Sequence, residues 1–493
     1  MKKNIPQNRR VIRLISLLIF SVGSLFFSIG HAASESLTSK LNGRLHKAIQ
    51  AAGFKESELG LWVGNKTEQG TETYFGQNAE KLFNPASLSK LVTAGAIFSE
   101  LHPTFKFKTI LVSDAAVASQ TLKGNLYLKG GGDPAFVSEN MWFLVNEFTR
   151  SGIVTIDGDV IVDDSRFDSV RFGEDRQSER VDRAYDAPVG AMSMNWNSVS
   201  VYVRPGDKPG DKLKVFPDVM SPYFKVRNET RTTSAGKGKN VSVERKQENG
   251  FDGDVLVVSG SMGLEQPEFV FYKSISRPDI WSGNNLVEFL KQRGITVKGK
   301  IRVGLAPKNA ITLAIAESQP LAAIVADMTK WSNNFVAEML TKDLAAEAEE
   351  LPATMAAGSA HVLKFLESLG FKKGEYEFTN VAGFTLKNRL SALQLGRVLE
   401  ASRTDFSMFP EYLASLPVGG QDGTLRHRMK NQSTGASVRA KTGTLNGVVG
   451  LAGYVGRPAG SVVSFAFMFN GTAGREAKAR ALFDKLADLI AEE

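Results

Sequence analysis

Ser87-Leu88-Ser89-Lys90 sets a hydroxyl and an amine three residues apart. Pro85 just upstream and the helical pattern downstream predict that Ser87 sits at a helix N-terminus, and residues three apart share a helix face. A serine hydroxyl is a poor nucleophile until a neighbouring base takes its proton. A lysine amine can be that base when burial and nearby cations pull its pKa toward neutrality. The helix N-terminus adds N–H groups and a positive field where an oxyanion would form. Alone, the quartet is weak: a capping serine beside a solvated lysine satisfies it too.

Two further patterns complete a nucleophilic site. Lys441-Thr442-Gly443-Thr444 falls on a predicted strand, Ser437 to Thr442. Lys441 can hold a substrate carboxylate, Gly443 lets a substrate backbone approach the strand edge, and the Thr444 N–H can be a second oxyanion donor. An ordinary strand end with a surface lysine is the bland alternative. Ser-x-Asn occurs as Ser193-Met194-Asn195, Ser282-Gly283-Asn284 and Ser332-Asn333-Asn334. Only the last lies between two helix-forming segments; the other two read as polar turn or loop residues. Ser332 can relay a proton to a leaving group, and Asn334 can hold a substrate amide and the Lys90 amine.

The elements that must position these groups come from both ends of the chain. A helix (Ser36 to Ala52) and strands at Leu59 to Val63 and Glu72 to Phe75 precede Ser87. Strands at Ser437 to Thr442, Gly447 to Val455 and Ser461 to Phe469 and a helix from Arg475 to Ala491 close the chain. This pattern predicts one antiparallel sheet assembled from both termini. Between them, residues 105 to 317 carry short β-like runs punctuated by Gly and Asp, which predicts a β-rich insertion. Helical periodicity returns over 318–345, 354–369 and 389–402.

Residues 1–32 read as a secretory signal peptide: a basic start, an apolar run from Leu14 to Ile29, then Gly30-His31-Ala32. The run is shorter than a spanning helix needs, so no stable membrane span is expected after cleavage. The formal net charge of +8 falls to +3 without the five basic residues of that leader, and no basic stripe for nucleic acid remains. The chain has no cysteine, which excludes disulfides, thiolate metal sites and cysteine nucleophiles. Its five histidines show no metal-ligand spacing, and no metal is expected. Export without disulfides points to a bacterial periplasm or cell surface.

The ordered trio Ser-x-x-Lys, Ser-x-Asn, Lys-Thr-Gly resembles that of penicillin-binding proteins and serine β-lactamases. The long gap between Ser87 and Ser332 narrows the resemblance. So do Gly130-Gly131-Gly132-Asp133-Pro134, Asp163-Asp164-Ser165-Arg166-Phe167, the run from Ala187 to Asn197, and Gly420-Gln421-Asp422-Gly423-Thr424-Leu425. Together they resemble the D-alanyl-D-alanine carboxypeptidase/endopeptidase family of penicillin-binding protein 4.

That resemblance implies an α+β fold: a β-lactamase/transpeptidase-like domain (33–104 and 318–493), an inserted β-rich domain (105–130 and 223–317), and a second domain nested within it (131–222). It implies a serine hydrolase acting on peptidoglycan peptides through a Ser87 acyl-enzyme, without cofactor, and covalently inhibited by β-lactams. Lys90 would be the base. Ser332, Asn334 and Lys441 would manage proton return and carboxylate binding, with Thr442, Gly443 and Thr444 lining the substrate. Asp163 and Phe167 would join a family arginine in reading the end of the stem peptide. That arginine is missing: Leu386 stands at its position in the segment Asn380 to Arg389, with Arg389 three residues on as a substitute. A looser stem-peptide pocket is the expectation. A β-lactamase would need a dedicated deacylating carboxylate after Ser332-Asn333-Asn334, and no motif places one. A non-catalytic sensor would need a damaged trio, and all three motifs are intact. A structural scaffold would require every motif to be a coincidence of turns and caps.

Overall fold

The computed structural model describes residues 39–67, 70–173, 186–429, 437–458 and 460–492. The expected signal peptide lies outside them. Among the described residues no helix is long and apolar enough to cross a membrane.

Both termini do build one sheet. Its strands run in the order Gly70–Gln77, Leu59–Thr67, Val462–Asn470, Val448–Gly456, Val438–Leu445, every neighbouring pair antiparallel. Successive residues of a strand face opposite sides. Leu59, Leu61 and Val63, with Phe465, Phe467 and Phe469, pack on the helices at 39–52 and Glu476–Ala491. Trp62, Ala452, Tyr454, Ala466 and Met468 face the opposite core. Both faces are covered, which is why the last strands are apolar throughout instead of alternating. Each Phe side chain so buried contributes roughly 1.5–3 kcal/mol.

The second core is helical. Ser89–Glu100 runs through its middle, buried from Ser89 to Phe98, and packs against Leu321–Lys330, Asn334–Glu347, Met355–Ser368 and Ala392–Thr404. The fold is α+β, as expected.

The insertion is β-rich but holds, among the described residues, the α-helices Ser138–Thr149 and Pro278–Gln292. Three of the β-like runs of the insertion, Thr121 to Leu128, Val154 to Val162 and Val297 to Val303, are each broken in two, feeding one sheet and then the next: Thr121–Leu122 and Leu126–Lys129, Thr155–Ile156 and Val160–Asp163, Thr296–Val297 and Ile301–Val303. The breaks stack on one another. A β-carbon on Gly158 would meet the Gly124 carbonyl carbon at 2.4 Å, and one on Gly299 would meet the Gly158 oxygen at 2.2 Å, so only glycine fits where the backbones step together.

Strand pairing also divides the insertion differently from the expected 131–222 boundary. Val160–Asp163 pairs with Leu126–Lys129 and Ile301–Val303, whereas Ser198–Arg204 pairs with Phe269–Ser274. The segment 131–222 therefore contributes to three separate sheets. We propose that the nested unit spans 198–274, holding the sheets Lys214–Asp218, Ser198–Arg204, Phe269–Ser274 and Phe224–Thr233, Asp254–Gly263, Lys239–Lys246.

Candidate active site

Ser87 lies in a 3-10 turn, Ala86–Leu88, that leads directly into Ser89–Glu100. The turn is held from three sides. Asn84 Oδ1 accepts from the Ala86 N–H at 2.8 Å, Asn470 Oδ1 accepts from the Asn84 N–H at 2.6 Å, and Asn84 Nδ2 donates to the Thr385 carbonyl at 2.9 Å. The Lys-Thr-Gly strand passes close beneath it: a β-carbon on Gly443 would sit 2.8 Å from the Pro85 oxygen and 3.3 Å from the Ser87 nitrogen. Any side chain there would push the nucleophile turn off the strand.

Lys90, one turn further on, is fully buried. Its Nζ lies 3.2 Å from Ser87 Oγ, 2.7 Å from Asn334 Oδ1 and 2.6 Å from the Ala382 carbonyl oxygen. Asn334 is the first residue of Asn334–Glu347, and Asn333 caps that helix by accepting from the Val336 N–H. Ser332 just ahead has φ +58°, a left-handed backbone uncommon for serine, which turns the chain between two helices. Its Oγ accepts from Lys441 Nζ at 2.8 Å, and that amine also donates to the Thr442 carbonyl at 2.7 Å. Burial first, and then the Lys90 charge, hold Lys441 well below the usual lysine pKa.

Lys441 to Thr444 belong to the edge strand of the sheet. The outward edge is occupied higher up, where the Ala440 N–H bonds the Pro417 carbonyl at 2.9 Å and the Val438 carbonyl accepts from the Gly419 N–H at 3.0 Å. Strand parity gives Thr442 and Thr444 the same outward backbone direction as Val438 and Ala440. Thr442 Oγ1 also bonds Thr424 Oγ1 at 2.8 Å, in the Gly420–Leu425 motif. One cleft thus joins Ser87, Lys90, Ser332, Asn334 and Lys441, with an open β-edge of Thr442, Gly443 and Thr444.

Asp163 and Phe167 do not join this cluster. Asp163 is buried; its carboxylate accepts from the Ser165 N–H and Oγ at 3.1 and 2.6 Å and from the Ala306 N–H at 2.9 Å, all within the insertion. Phe167 is buried in a β-bridge with Ala353. Its ring faces Lys342, two helical turns beyond Asn334, roughly 12 Å along the axis. Phe167 packs at the seam between insertion and helix, and Asp163 braces turns within the insertion. Leu386 is 66% exposed. Arg389 folds back on its own turn, donating to the Leu386 and Asn388 carbonyls. The other two Ser-x-Asn copies lie elsewhere. Ser193 Oγ donates to the Gly190 carbonyl. Ser282 and Asn284 are not in a turn but inside Pro278–Gln292, where Asn284 Nδ2 bonds the Ile280 carbonyl.

The sequence reading missed one contributor. The 380–388 loop reaches Lys90 through the Ala382 carbonyl, and Asn388 braces that loop, accepting from the Thr379 and Asn380 N–H groups and donating to Ser89 Oγ. A backbone carbonyl leaves no residue-type signal; Gly383 in its left-handed conformation was the sole hint.

A model of the D-Ala-D-Ala carboxypeptidase 3 (S13) family matches residues 41–492. The chain belongs to this family. The S13 enzyme is a serine peptidase, a hydrolase. It is 30% identical to a D-alanyl-D-alanine carboxypeptidase of Actinomadura sp. (strain R39), over 94% of this chain and 88% of that protein. It is 25% identical to the D-alanyl-D-alanine carboxypeptidase DacB of Haemophilus influenzae, over 80% and 82%. Among solved structures, penicillin binding protein 4 (dacB) from Haemophilus influenzae superposes with a TM-score of 0.74 at 22% identity, covering 92% of this S13 chain and 99% of that one. The fold is also shared, at TM-score 0.53 and 16% identity, with Bd3459, a predatory peptidoglycan endopeptidase from Bdellovibrio bacteriovorus, over 88% and 92% of the two chains.

Proposed function

We propose that the enzyme hydrolyses D-alanyl bonds of peptidoglycan stem peptides and cross-links through an acyl-enzyme on Ser87. The observation that carries this is Lys90 Nζ, buried and 3.2 Å from Ser87 Oγ, with the Lys441–Ser332 pair completing the cleft. Lys90 takes the Ser87 proton as Oγ attacks the carbonyl carbon of the D-Ala bond. The Ser87 and Thr444 N–H groups receive the oxyanion. The proton taken up by Lys90 passes to the departing amine by way of Ser332, whose Oγ is oriented by the Lys441 amine, which leaves Lys90 a free base again, and Asn334 keeps Lys90 aligned while holding the substrate amide. A terminal D-Ala carboxylate rests near Lys441 and Thr442. Water, activated by Lys90, then attacks the ester and frees Ser87. Carboxypeptidase and endopeptidase cleavage share every step except the identity of the amine that leaves. A β-lactam presents the same carbonyl to Ser87 and forms the same ester.

With Leu386 exposed and Arg389 tied to its own carbonyls, no guanidinium from this loop is offered to a diaminopimelate carboxylate. The preference between lysine and diaminopimelate stem peptides is therefore shallow. The leader-like N-terminus and the peptidoglycan substrate place the enzyme in the periplasm.

Incubation of the purified enzyme with isolated peptidoglycan, with muropeptides read by mass spectrometry, tests this. Loss of terminal D-Ala or of cross-linked dimers is expected, with none from Ser87→Ala. Penicillin should add its mass to the parent and not to that variant. Unchanged muropeptides with the parent enzyme would overturn the reading. A preference above about 100-fold for diaminopimelate peptides, some 2.7 kcal/mol, would sink the shallow-pocket part alone.

A further inference from the structure

The sheet Phe224–Thr233, Asp254–Gly263, Lys239–Lys246 has two unlike faces. One carries Leu256, Val258, Met262 and Val243 into the core of the insertion. The other carries Val255 and Val257 at one end and turns polar toward the other. Register aligns Arg231 with Ser261 and Ser261 with Asn240, and one row away Glu229, Ser259 and Ser242. At one end of that face the cations are neutralised: Lys225 and Arg227 meet Glu248, and Lys246 meets Glu244. At the other end lies a groove of about 640 Å³, lined among others by Arg231, Thr233, Lys237, Lys239, Asn240 and Ser261.

There the charges are left over. No ion pair among the described residues joins Arg231, Lys237 or Lys239 to a carboxylate; Lys239 lies over the Phe269 ring instead. Two nearby acids serve the backbone, Glu265 accepting from the Gly236 N–H at 2.7 Å and Asp211 from the Lys208 N–H at 3.2 Å, while Glu229 stands on the same face one row from Arg231 and forms no ion pair with it among the described residues. Thr233 Oγ1, on the groove face, is a buried oxygen without a partner. Three unpaired cations around a hydroxyl- and amide-lined trough suit a chain that carries carboxylates beside hydroxyls and amides.

We propose that this groove holds the peptidoglycan strand itself, the cations meeting free stem-peptide carboxylates and the hydroxyl face meeting glycan and peptide groups, as a grip on polymeric substrate apart from the Ser87 cleft. The proposal rests on the wall-hydrolase reading for its choice of anion. Its effect belongs to polymer binding and not to bond cleavage, since none of the three cations lies in the cleft.

The test is co-sedimentation with purified sacculi in the Ser87→Ala background, comparing R231Q/K237Q/K239Q with K225Q/R227Q at the neutralised end, across a range of NaCl. A tenfold or greater weakening for the triple variant is expected, with less than threefold for the control pair. Amidating the sacculus carboxylates should abolish that difference. Equal weakening of both variants, an unchanged triple variant, or binding indifferent to amidation would each overturn the groove. Unchanged circular dichroism and Tm establish that the variants fold. With Ser87 present, turnover of a small soluble stem peptide should stay within twofold; a tenfold fall would place these residues in the cleft's chemistry and overturn the proposal. If parent and variants all fail to cleave while sacculus binding still falls, the catalytic reading fails and the groove stands.

Discussion

The helix Asn334–Glu347 buries charge at both ends, in opposite ways. At its N-terminal end Asn334 meets Lys90, beside Lys441, whose bonds go to a hydroxyl and a carbonyl. At its far end it meets the insertion. Lys342 Nζ donates to Asp168 Oδ1 at 2.5 Å, Asp343 faces Arg166, and Glu347 pairs with the same guanidinium. The Asp343 carboxylate presses on Gly132, where a β-carbon would sit 2.1 Å from Oδ1. Asp164, next to Phe167 in the same motif, pairs with Arg171. Burial costs a charge its hydration in both places. At the seam, opposite charges offset only part of that cost: burial still holds the Asp343 carboxyl well above, and Asp164 above, the usual carboxylate range against Arg166 and Arg171, and the result is a clamp. In the cleft, burial and a like charge hold Lys441 toward neutrality, and the result is an amine ready to exchange protons.

Replacing Lys441 with Met should sharpen the contrast most. We expect kcat/KM to fall about 10³-fold, roughly 4 kcal/mol, with Tm unchanged or raised because a desolvated amine is gone. A large loss of stability would put Lys441 among the structural charges. The sign of its pH effect is also set. A lowered lysine pKa means the unfolded chain binds the proton more tightly, so stability rises with pH from the folded value up to about 10.4, and the Met variant should lose that slope.

Asp133 tests the seam next. Burial pushes its carboxyl up to about 7, against a hydrogen bond from the Ala135 N–H. A raised acid pKa stabilises the fold fully below the unfolded value and loses that stability as pH climbs through about 7. Asp133→Asn should flatten the denaturant-measured stability profile between about pH 4 and 7 by a few kcal/mol. An unchanged profile would count against a desolvated carboxyl there.

Arg166→Ala leaves Asp343 buried without its cation and should cost about 1–3 kcal/mol in urea unfolding, while turnover of a soluble stem peptide holds within a few-fold. A hundredfold loss of turnover would erase the division between clamp and cleft. The smallest effect is expected from Glu347→Gln, below about 1 kcal/mol, because that partner is solvated and its pair screened.

The chemistry was legible wherever one motif forms one local object. Ser87 and Lys90 share a turn and the helix that follows, and Lys441 to Thr444 share a strand. The five-stranded sheet was legible from apolar runs at both termini. The broken strands at Gly124, Gly158 and Gly299 were not, because each break is imposed by another backbone far away in the chain. The positions of Asp163 and Phe167 were not legible for a related reason: an acid and an aromatic can read a ligand or brace a fold, and residue type does not distinguish the two.

By itself, then, the sequence determined the candidate set and its order, since Ser87, Lys90, Ser332, Asn334 and Lys441 were singled out by their types, spacings and the elements predicted around them. Tertiary structure alone decided what those groups experience. It brought Ala382 to Lys90 and set Lys441 beside a second amine where both are buried. These are properties of distance and solvent exclusion between residues hundreds of positions apart, and no local pattern encodes them.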